Sequence, residues 1–257
     1  MSDKTLPIET FDIQMISDFF NLLERQGPGS PEMTIHALSY IDNLPDNAKI
    51  ADLGCGNGGQ TITLAENVKG HITALDLFTD FIQKLKDRIK ENDLEDKISA
   101  IEGSMDDLPF AEGELDLIWC EGAIYNIGFE EGLKYWHKYL KQDGYVVVSE
   151  ASWFTPTRPD EIQKFWDDNY PGIDIISTKV RQMEEAGYMA VTHFILPESC
   201  WLEDFYAPMP EASDKFLKKY NHSKAAVEFI KMSDAEIALY KKYKQYYGYV
   251  FYIGKKI

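Results

Sequence analysis

The sequence predicts an α/β fold in which a parallel sheet is covered by helices on both faces. Three observations support this: short apolar segments alternate with helical segments, a glycine-rich loop joins the first strand to the next helix, and an aspartate ends the second strand. The predicted strands span residues 49–53, 71–75, 98–102, 115–120, 145–149, 188–196 and 247–253. The predicted helices among them span residues 59–67, 79–92, 130–140 and 176–186.

Helical segments flank this alternating core. Apolar residues at helical spacing predict a helix over residues 11–24, and Ser30 and Pro31 are typical of the N-cap and first position of a second helix. Near the C-terminus, Ser233 and Glu236 have the spacing of a capping box that would begin the last helix. We therefore expect one domain with four parts: a helical cover (1–45), a cofactor-binding core (46–196), a helical insertion (197–245) and a last strand (246–257).

Composition restricts the class of partner. The formal net charge is −17, whereas nucleic-acid binders usually carry basic patches that neutralise phosphates. The three cysteines, Cys55, Cys120 and Cys200, are far apart, which argues against a disulfide framework and a structural zinc site. There is no signal-peptide pattern and no long apolar run. We expect a cytoplasmic protein with no nucleic-acid partner, no membrane insertion and no metal ion, and with a small-molecule substrate.

The loop over residues 52–59, DLGCGNGG, is the strongest motif. Its glycines allow a ligand to lie directly on the backbone, and N–H groups at the start of the next helix can face that ligand. Asp76 ends the neighbouring strand, where its carboxylate can accept hydrogen bonds from both hydroxyls of a ribose. Because Gly54, Gly56 and Gly59 also fit the dinucleotide pattern GxGxxG, the loop alone leaves the cofactor open.

Four segments between residues 47 and 150 resemble one family. Asp52 stands two positions before Gly54, and the segments EGSMDDLPF (102–110), LDLIWCEGA (115–123) and LKQDGYVVV (140–148) follow in the family's order. The chain resembles the class I S-adenosylmethionine-dependent methyltransferases, particularly the small-molecule enzymes similar to those of ubiquinone and menaquinone biosynthesis. The resemblance implies a Rossmann-like, seven-stranded, mostly parallel sheet with an antiparallel last strand, N-terminal helices, and a helical insertion between the last two strands.

The resemblance also implies S-adenosylmethionine as the cofactor and a set of residues that bind it. These are Asp52, Gly54, Cys55, Gly56, Asn57, Gly58, Asp76, Leu77, Gly103, Ser104, Met105 and Glu121. Ser104 stands where the family commonly has an aspartate that bonds the adenine amino group, so this bond would be weaker here. Met105 would pack on the adenine or fill the core.

Methyl transfer from a sulfonium is an in-line displacement that depends mainly on positioning, with a base needed only if the acceptor must lose a proton. The candidate catalytic residues are Glu121 and Tyr125 after the fourth strand and His193 in the sixth, each of which could instead be structural. Glu150 follows the fifth strand. The candidate substrate pocket consists of Tyr125, Trp153, Trp201 and Tyr206, with core packing as the alternative.

We therefore predict an S-adenosylmethionine-dependent methyltransferase for a small acceptor. Two alternatives stay open: an NAD(P)-dependent oxidoreductase, and a non-catalytic sensor that keeps the cofactor fold. The sequence also leaves open a homodimer.

Overall fold

The structure is a computed structural model that describes Ile8 and residues 11–257. Part of the predicted helical cover, residues 1–7 and 9–10, lies outside the described residues. The strands are β1 (Lys49–Leu53), β2 (His71–Asp76), β3 (Ile98–Glu102), β4 (Leu115–Glu121), β5 (Leu140–Trp153), β6 (Asp174–Ile175), β7 (Tyr188–Ile195) and β8 (Tyr247–Lys256). The helices are α1 (Ile13–Phe20), α2 (Pro31–Leu38), α3 (Gly59–Asn67), α4 (Thr79–Glu91), α5 (Phe129–His137), α6 (Asp160–Asn169), α7 (Ile176–Glu185), α8 (Glu198–Trp201), α9 (Met209–Lys219) and α10 (Lys224–Tyr243).

The strands form one sheet in the order β3-β2-β1-β4-β5-β8-β7, and the short β6 pairs with the end of β5. Strands β1 to β5 pair in parallel, whereas β8 is antiparallel to both β5 and β7. This topology confirms the predicted mostly parallel sheet with an antiparallel last strand. The sequence analysis missed α6 and β6, and it ended β5 four residues too early.

Apolar packing on both faces explains the consecutive apolar residues in the central strands. Along β5, Val146 and Val148 belong to one buried cluster and Val147 to another, because successive side chains point to opposite faces of a strand. Both faces of the sheet are therefore covered, as expected for parallel strands.

The helical insertion (α8 to α10, with a π-helical turn at Leu202–Tyr206) lies between β7 and β8 and packs against the N-terminal helix α1. The Phe19 ring meets the rings of Phe216 and Phe229 at centroid distances of 5.4 and 5.1 Å. Helix α1 and the insertion therefore form a third buried cluster, which lies next to the carboxyl end of β5. None of the helices in the described residues is both long and apolar enough to cross a membrane.

Both N-terminal helices have side-chain N-caps, and the predicted N-cap Ser30 is confirmed, whereas α1 is shorter than the predicted helix over residues 11–24. The Asp12 side chain accepts a hydrogen bond from the Gln14 N–H at the start of α1, and the Ser30 hydroxyl accepts one from the Met33 N–H at the start of α2. The predicted capping box at Ser233 is wrong. Helix α10 begins after Ser223, which accepts from the Ala226 N–H, and Ser233 lies inside the helix with its hydroxyl donating to the Phe229 carbonyl.

Candidate functional site

The sheet order reverses between β1 and β4, and the candidate site lies at the carboxyl ends of these two strands. Open α/β sheets bind ligands in the crevice at such a switch point. Residues of the glycine loop follow β1 here, and Glu121 ends β4. A cavity at this position, which we call the loop cavity, is lined by Gly54, Cys55, Gly56, Asp76 and Glu121 among other residues.

The loop needs glycine because of both its backbone and its neighbours. Gly54 has φ of +69°, and a Cβ there would stand 2.4 Å from the Ala123 Cβ. Gly56 has φ of +55°, and its Cβ would stand 2.1 Å from Gln26 Oε1. Both positions have a left-handed backbone, which favours glycine, and at Gly54 a side chain would also overlap Ala123. The loop is closed to side chains and open to a ligand.

Asp76 lies at the bottom of the loop cavity, with 8% of its surface exposed. One carboxylate oxygen accepts from the Gly56 N–H at 2.8 Å and the other from the Phe78 N–H at 3.0 Å. Burial raises the pKa of this carboxyl, although the two backbone bonds oppose the increase. Each oxygen still has a lone pair that can accept a further hydrogen bond.

Three of the predicted cofactor residues support the loop from outside the cavity. Asp52 is fully buried, accepts from Thr61 Oγ1 at 2.6 Å and from Gln60 Nε2 at 3.2 Å, and has its pKa raised to about 7 by burial. The Asn57 side chain donates to the Leu23 carbonyl at 2.8 Å, and a Cβ at Gly58 would meet Leu85. These residues shape the loop rather than face the space in front of it.

The residues predicted to surround an adenine lie on the β3 side of the loop. Leu77 is a largely exposed apolar side chain, and the Gly103 N–H donates to the Asp76 carbonyl at 3.0 Å. Ser104 already donates its hydroxyl to the Asp106 carboxylate, while Met105 packs beside Gly54. Their contacts with a cofactor stay predictions.

Glu121 joins β4 to the N-terminal helices. One of its oxygens accepts from Thr34 Oγ1 at 2.7 Å and from Trp119 Nε1 at 2.9 Å, and the other forms a buried ion pair with Arg25. Three donors therefore occupy a carboxylate that is 4% exposed, which is a poor arrangement for a general base. Sequence reasoning missed Arg25, because it lies in a turn without any recognisable motif.

The Arg25 guanidinium has more donors than the protein uses. Its Nη2 bonds Glu121, whereas its Nε and Nη1 are buried and have no hydrogen-bond partner in the described part of the chain. Buried donors are normally paired, so two unpaired ones that line a cavity indicate a place for an anionic ligand group.

A second cavity, which we call the aromatic cavity, adjoins the loop cavity. Phe20, Gln26, Pro28 and Tyr125 line both, so the two spaces share a wall. Its other lining residues come from β5, α6 and the residue that follows it, the insertion and β8. About half of them are aromatic: Phe165, Trp166, Tyr170, Trp201, Phe205, Tyr206 and Tyr249. The arrangement can hold an apolar or aromatic molecule next to whatever occupies the glycine loop.

The structure brings together three of the four predicted pocket residues, Tyr125, Trp201 and Tyr206. The fourth is placed differently: Trp153 is buried in the core between the Tyr247 ring and the Arg158 guanidinium. His193, a candidate catalytic residue, does not line either cavity. It is exposed on the edge strand β7, with its ring 6.3 Å from that of Tyr252. A catalytic role for His193 therefore has no support from the geometry.

Two carboxylates also line the aromatic cavity. Glu150, in β5, accepts from the Tyr170 hydroxyl and lies 3.5 Å from Lys179 Nζ. Glu236, in α10, accepts from the Tyr206 hydroxyl at 3.0 Å. Burial raises the pKa of both carboxyls. Among the described residues, no cluster of His, Cys, Asp and Glu is arranged to bind a metal ion.

Comparisons with known proteins agree with this geometry. Residues 50–144 match the family described as a methyltransferase domain. The chain is 25% identical over 211 residues to phosphoethanolamine N-methyltransferase from Plasmodium falciparum, an alignment that covers 79% of this chain and 73% of that protein. It is 28% identical over 97 residues to glycine/sarcosine/dimethylglycine N-methyltransferase from Actinopolyspora halophila, covering 38% of this chain and only 17% of that relative.

The fold is shared with a solved methyltransferase along nearly its whole length. The crystal structure of a SAM-dependent methyltransferase from Geobacter sulfurreducens in complex with S-adenosyl-L-homocysteine has a TM-score of 0.83 at 16% identity, and covers 96% of this chain and 99% of that one. These findings agree with S-adenosylmethionine, the cofactor that the resemblance implies. Residues 50–144 therefore match a methyltransferase domain, and the chain has the fold of a solved S-adenosylmethionine-dependent methyltransferase.

Proposed function

We propose that this protein transfers the methyl group of S-adenosylmethionine to a small molecule bound in the aromatic cavity. The observation that carries the proposal is the shared wall between this cavity and the loop cavity, at Phe20, Gln26 and Tyr125. A molecule in the aromatic cavity would lie next to the cofactor, and the insertion would separate both from water. Such positioning and exclusion of water supply much of the acceleration in a displacement reaction.

The residues around the loop cavity fit each part of the cofactor. Asp76 would accept the ribose hydroxyls through its free lone pairs, and the unpaired Nε and Nη1 of Arg25 would bind the carboxylate of the methionine part. When bound, the cofactor supplies an electrophilic methyl group on a positively charged sulfur. The protein contributes binding, orientation and a dry cavity.

Two of the relatives support a small acceptor, whereas others are protein arginine N-methyltransferases. The names phosphoethanolamine N-methyltransferase and glycine/sarcosine/dimethylglycine N-methyltransferase describe enzymes for small molecules. Here the acceptor position is enclosed by side chains from β5, α6 and the insertion, which favours a compact molecule over a large surface. Enclosure by an insertion also favours catalysis over the alternative of a non-catalytic sensor.

The cofactor preference is the first test of this proposal. We expect S-adenosylmethionine and S-adenosylhomocysteine to bind at least 100-fold more tightly than NAD or NADP, which is about 2.7 kcal/mol. The physical reason is that Arg25 offers donors to an amino-acid carboxylate, a group that NAD and NADP lack. Isothermal titration calorimetry with each ligand measures the difference. Equal or tighter binding of NAD would contradict the proposal and favour an oxidoreductase.

Trp201→Ala tests the aromatic cavity. The Trp201 ring stacks on Tyr240 at 4.3 Å and is nearly perpendicular to Tyr249, so it serves both as cavity wall and as core. We expect at least a tenfold increase in the acceptor KM, a loss of about 3–5 kcal/mol in the free energy of unfolding, and S-adenosylhomocysteine affinity within about threefold.

Tyr220→Ala is the matched control for this variant. Tyr220 belongs to the same insertion and packs on Phe216 at 4.8 Å, away from the aromatic cavity. It should lose stability without any change in the acceptor KM. If Trp201→Ala also loses only stability, Trp201 is a core residue and the aromatic cavity is not the acceptor site.

A further inference from the structure

We propose that the aromatic cavity selects a cationic amine and that methyl transfer occurs to its nitrogen. This inference rests on the proposed function and names the chemical class of its acceptor. It follows from the combination of aromatic rings and two carboxylates, the buried Glu150 and the partly buried Glu236, in one cavity.

The rings provide the first part of the argument. Tyr125, Tyr170, Trp201, Tyr206 and Tyr249 present π systems to the cavity. A ligand cation within about 6 Å of such faces is attracted by their negative quadrupole, most strongly where water is excluded. Rings alone would equally suit a neutral aromatic molecule. The charged residues of the cavity therefore decide whether it favours a cation or a neutral ligand.

The charged residues that line this cavity are acidic. In the described part of the chain they are Glu150 and Glu236. One cation is near: Lys179 Nζ lies 3.5 Å from Glu150, donates to the Gly172 carbonyl at 2.9 Å and stands over the Phe129 ring. Lys179 can therefore balance Glu150, and among the described residues no Lys or Arg reaches Glu236 within salt-bridge distance.

Both carboxylates have unused capacity. Glu150 is 1% exposed, and its Oε2 is buried without a hydrogen-bond partner in the described residues. Glu236 accepts a single bond, from the Tyr206 hydroxyl. Burying a carboxylate is costly unless a donor or a cation compensates for the lost water. An ammonium group between the rings would supply a donor to Glu150 Oε2, and both a donor and a counter-charge to Glu236.

The position of Glu150 also fits the reaction. Tyr170, which donates to Glu150, packs edge-on against Tyr125 at 5.8 Å, and Tyr125 lines both cavities. A protonated amine has no free electron pair, so it first gives a proton to Oε2 of Glu150. The nitrogen lone pair then forms the bond to the methyl carbon, the carbon–sulfur bond breaks, and its electron pair stays on sulfur. The products are a methylated ammonium and S-adenosylhomocysteine, with the proton held by Glu150 until it exchanges with water.

The test compares cations with neutral molecules of the same shape. The protein saturated with S-adenosylhomocysteine is titrated calorimetrically with 2-(dimethylamino)ethanol and with 3-methylbutan-1-ol, in which a carbon replaces the nitrogen, and then with further amine and hydrocarbon pairs. We expect the amines to bind at least tenfold more tightly. In Glu236→Gln this preference should fall by about 10- to 100-fold, as expected for the loss of a hydrogen bond to a charged group. Binding of the neutral molecules and of S-adenosylhomocysteine should not change.

Two more variants complete the design. Glu150→Gln should lower the rate of methyl transfer to amines by about 100-fold or more, the range typical of a lost proton acceptor, while S-adenosylhomocysteine affinity stays constant. Glu198→Gln removes a largely exposed carboxylate of the same insertion, paired with Lys244, and should change none of these quantities. Thermal melts of all variants exclude misfolding as the cause of a loss.

The outcomes separate this inference from the proposed function. Equal affinities within the pairs, or no amine binding at all, would overturn the inference. Transfer to neutral or acidic small molecules, or to arginine in a peptide, with small amines inert, would overturn it while methyltransferase activity stands. A clear preference for amines without any methyl transfer would support the cavity chemistry and contradict the proposed function.

Discussion

Asp76→Ala is expected to weaken S-adenosylhomocysteine binding by about 30- to 1000-fold. A carboxylate that accepts both ribose hydroxyls makes two charge-assisted hydrogen bonds of roughly 1.5–3 kcal/mol each. Water recovers part of this energy, which leaves a loss of about 2–4 kcal/mol. Calorimetry on the folded variant measures the effect.

Asp76 also accepts hydrogen bonds from the Gly56 and Phe78 N–H groups and so fixes the loop. The effect of losing these bonds must be separated from the effect of losing the bonds to the ribose. Two comparisons separate them. Asp76→Asn keeps the shape and one acceptor and should bind with intermediate affinity. A 2′,3′-dideoxy analogue of adenosine lacks the ribose hydroxyls, so the Ala substitution should weaken its binding much less than that of adenosine. If both nucleosides lose affinity equally, Asp76 acts through the loop and the ribose assignment is wrong.

The strands of the core could be predicted from the sequence because their signals are local. The apolar segments of β1 to β4 are short, each is bounded by glycine or polar residues, and each lies in the sheet as predicted. The sequence signal of the glycine loop is also local, because the loop needs positive φ values that residues other than glycine rarely adopt.

Errors occurred where packing over long distance outweighed a local signal. The capping-box spacing of Ser233 and Glu236 is real, but Phe229 is buried one turn earlier and continues α10 through the serine. Glu236 then contacts Tyr206, thirty positions away, which no sequence pattern indicates. For His193, strand alternation allowed either face, and the sequence does not show which face of β7 is left uncovered.

Breaking the Arg25–Glu121 pair is expected to have a large effect on stability. Both side chains are almost completely buried, so removing the cation leaves a carboxylate without its counter-charge. Breaking a buried pair in this way costs about 3–5 kcal/mol. We therefore expect Arg25→Met to lower Tm by roughly 6–20 °C, at about 2–4 °C per kcal/mol for a chain of this size. Differential scanning calorimetry measures this difference.

The double variant Arg25→Met/Glu121→Gln shows whether charge is the cause. The amide at position 121 can still accept from Thr34 and Trp119, and it no longer needs a cation. We expect it to recover at least half of the lost stability. Lys134→Met breaks an exposed pair with Glu130 on α5 and should change stability by less than about 1 kcal/mol. If the double variant is no more stable than Arg25→Met, Arg25 stabilises the fold by packing and not by its charge.

Ligand binding tests the role of the Arg25 nitrogen atoms that do not contact Glu121. Its unpaired Nε and Nη1 are expected to hold the amino-acid carboxylate of the cofactor, an interaction that 5′-methylthioadenosine cannot make. Arg25→Met should therefore reduce S-adenosylhomocysteine affinity by about 10- to 100-fold, which corresponds to one or two charge-assisted bonds. Its affinity for 5′-methylthioadenosine should change by less than about threefold, or 0.7 kcal/mol. Equal losses for the two ligands would mean that the substitution disturbs the loop through Glu121, and that the carboxylate binds elsewhere. A loss confined to S-adenosylhomocysteine would explain why the protein keeps a buried guanidinium with two donors unpaired: the cofactor completes its hydrogen bonds.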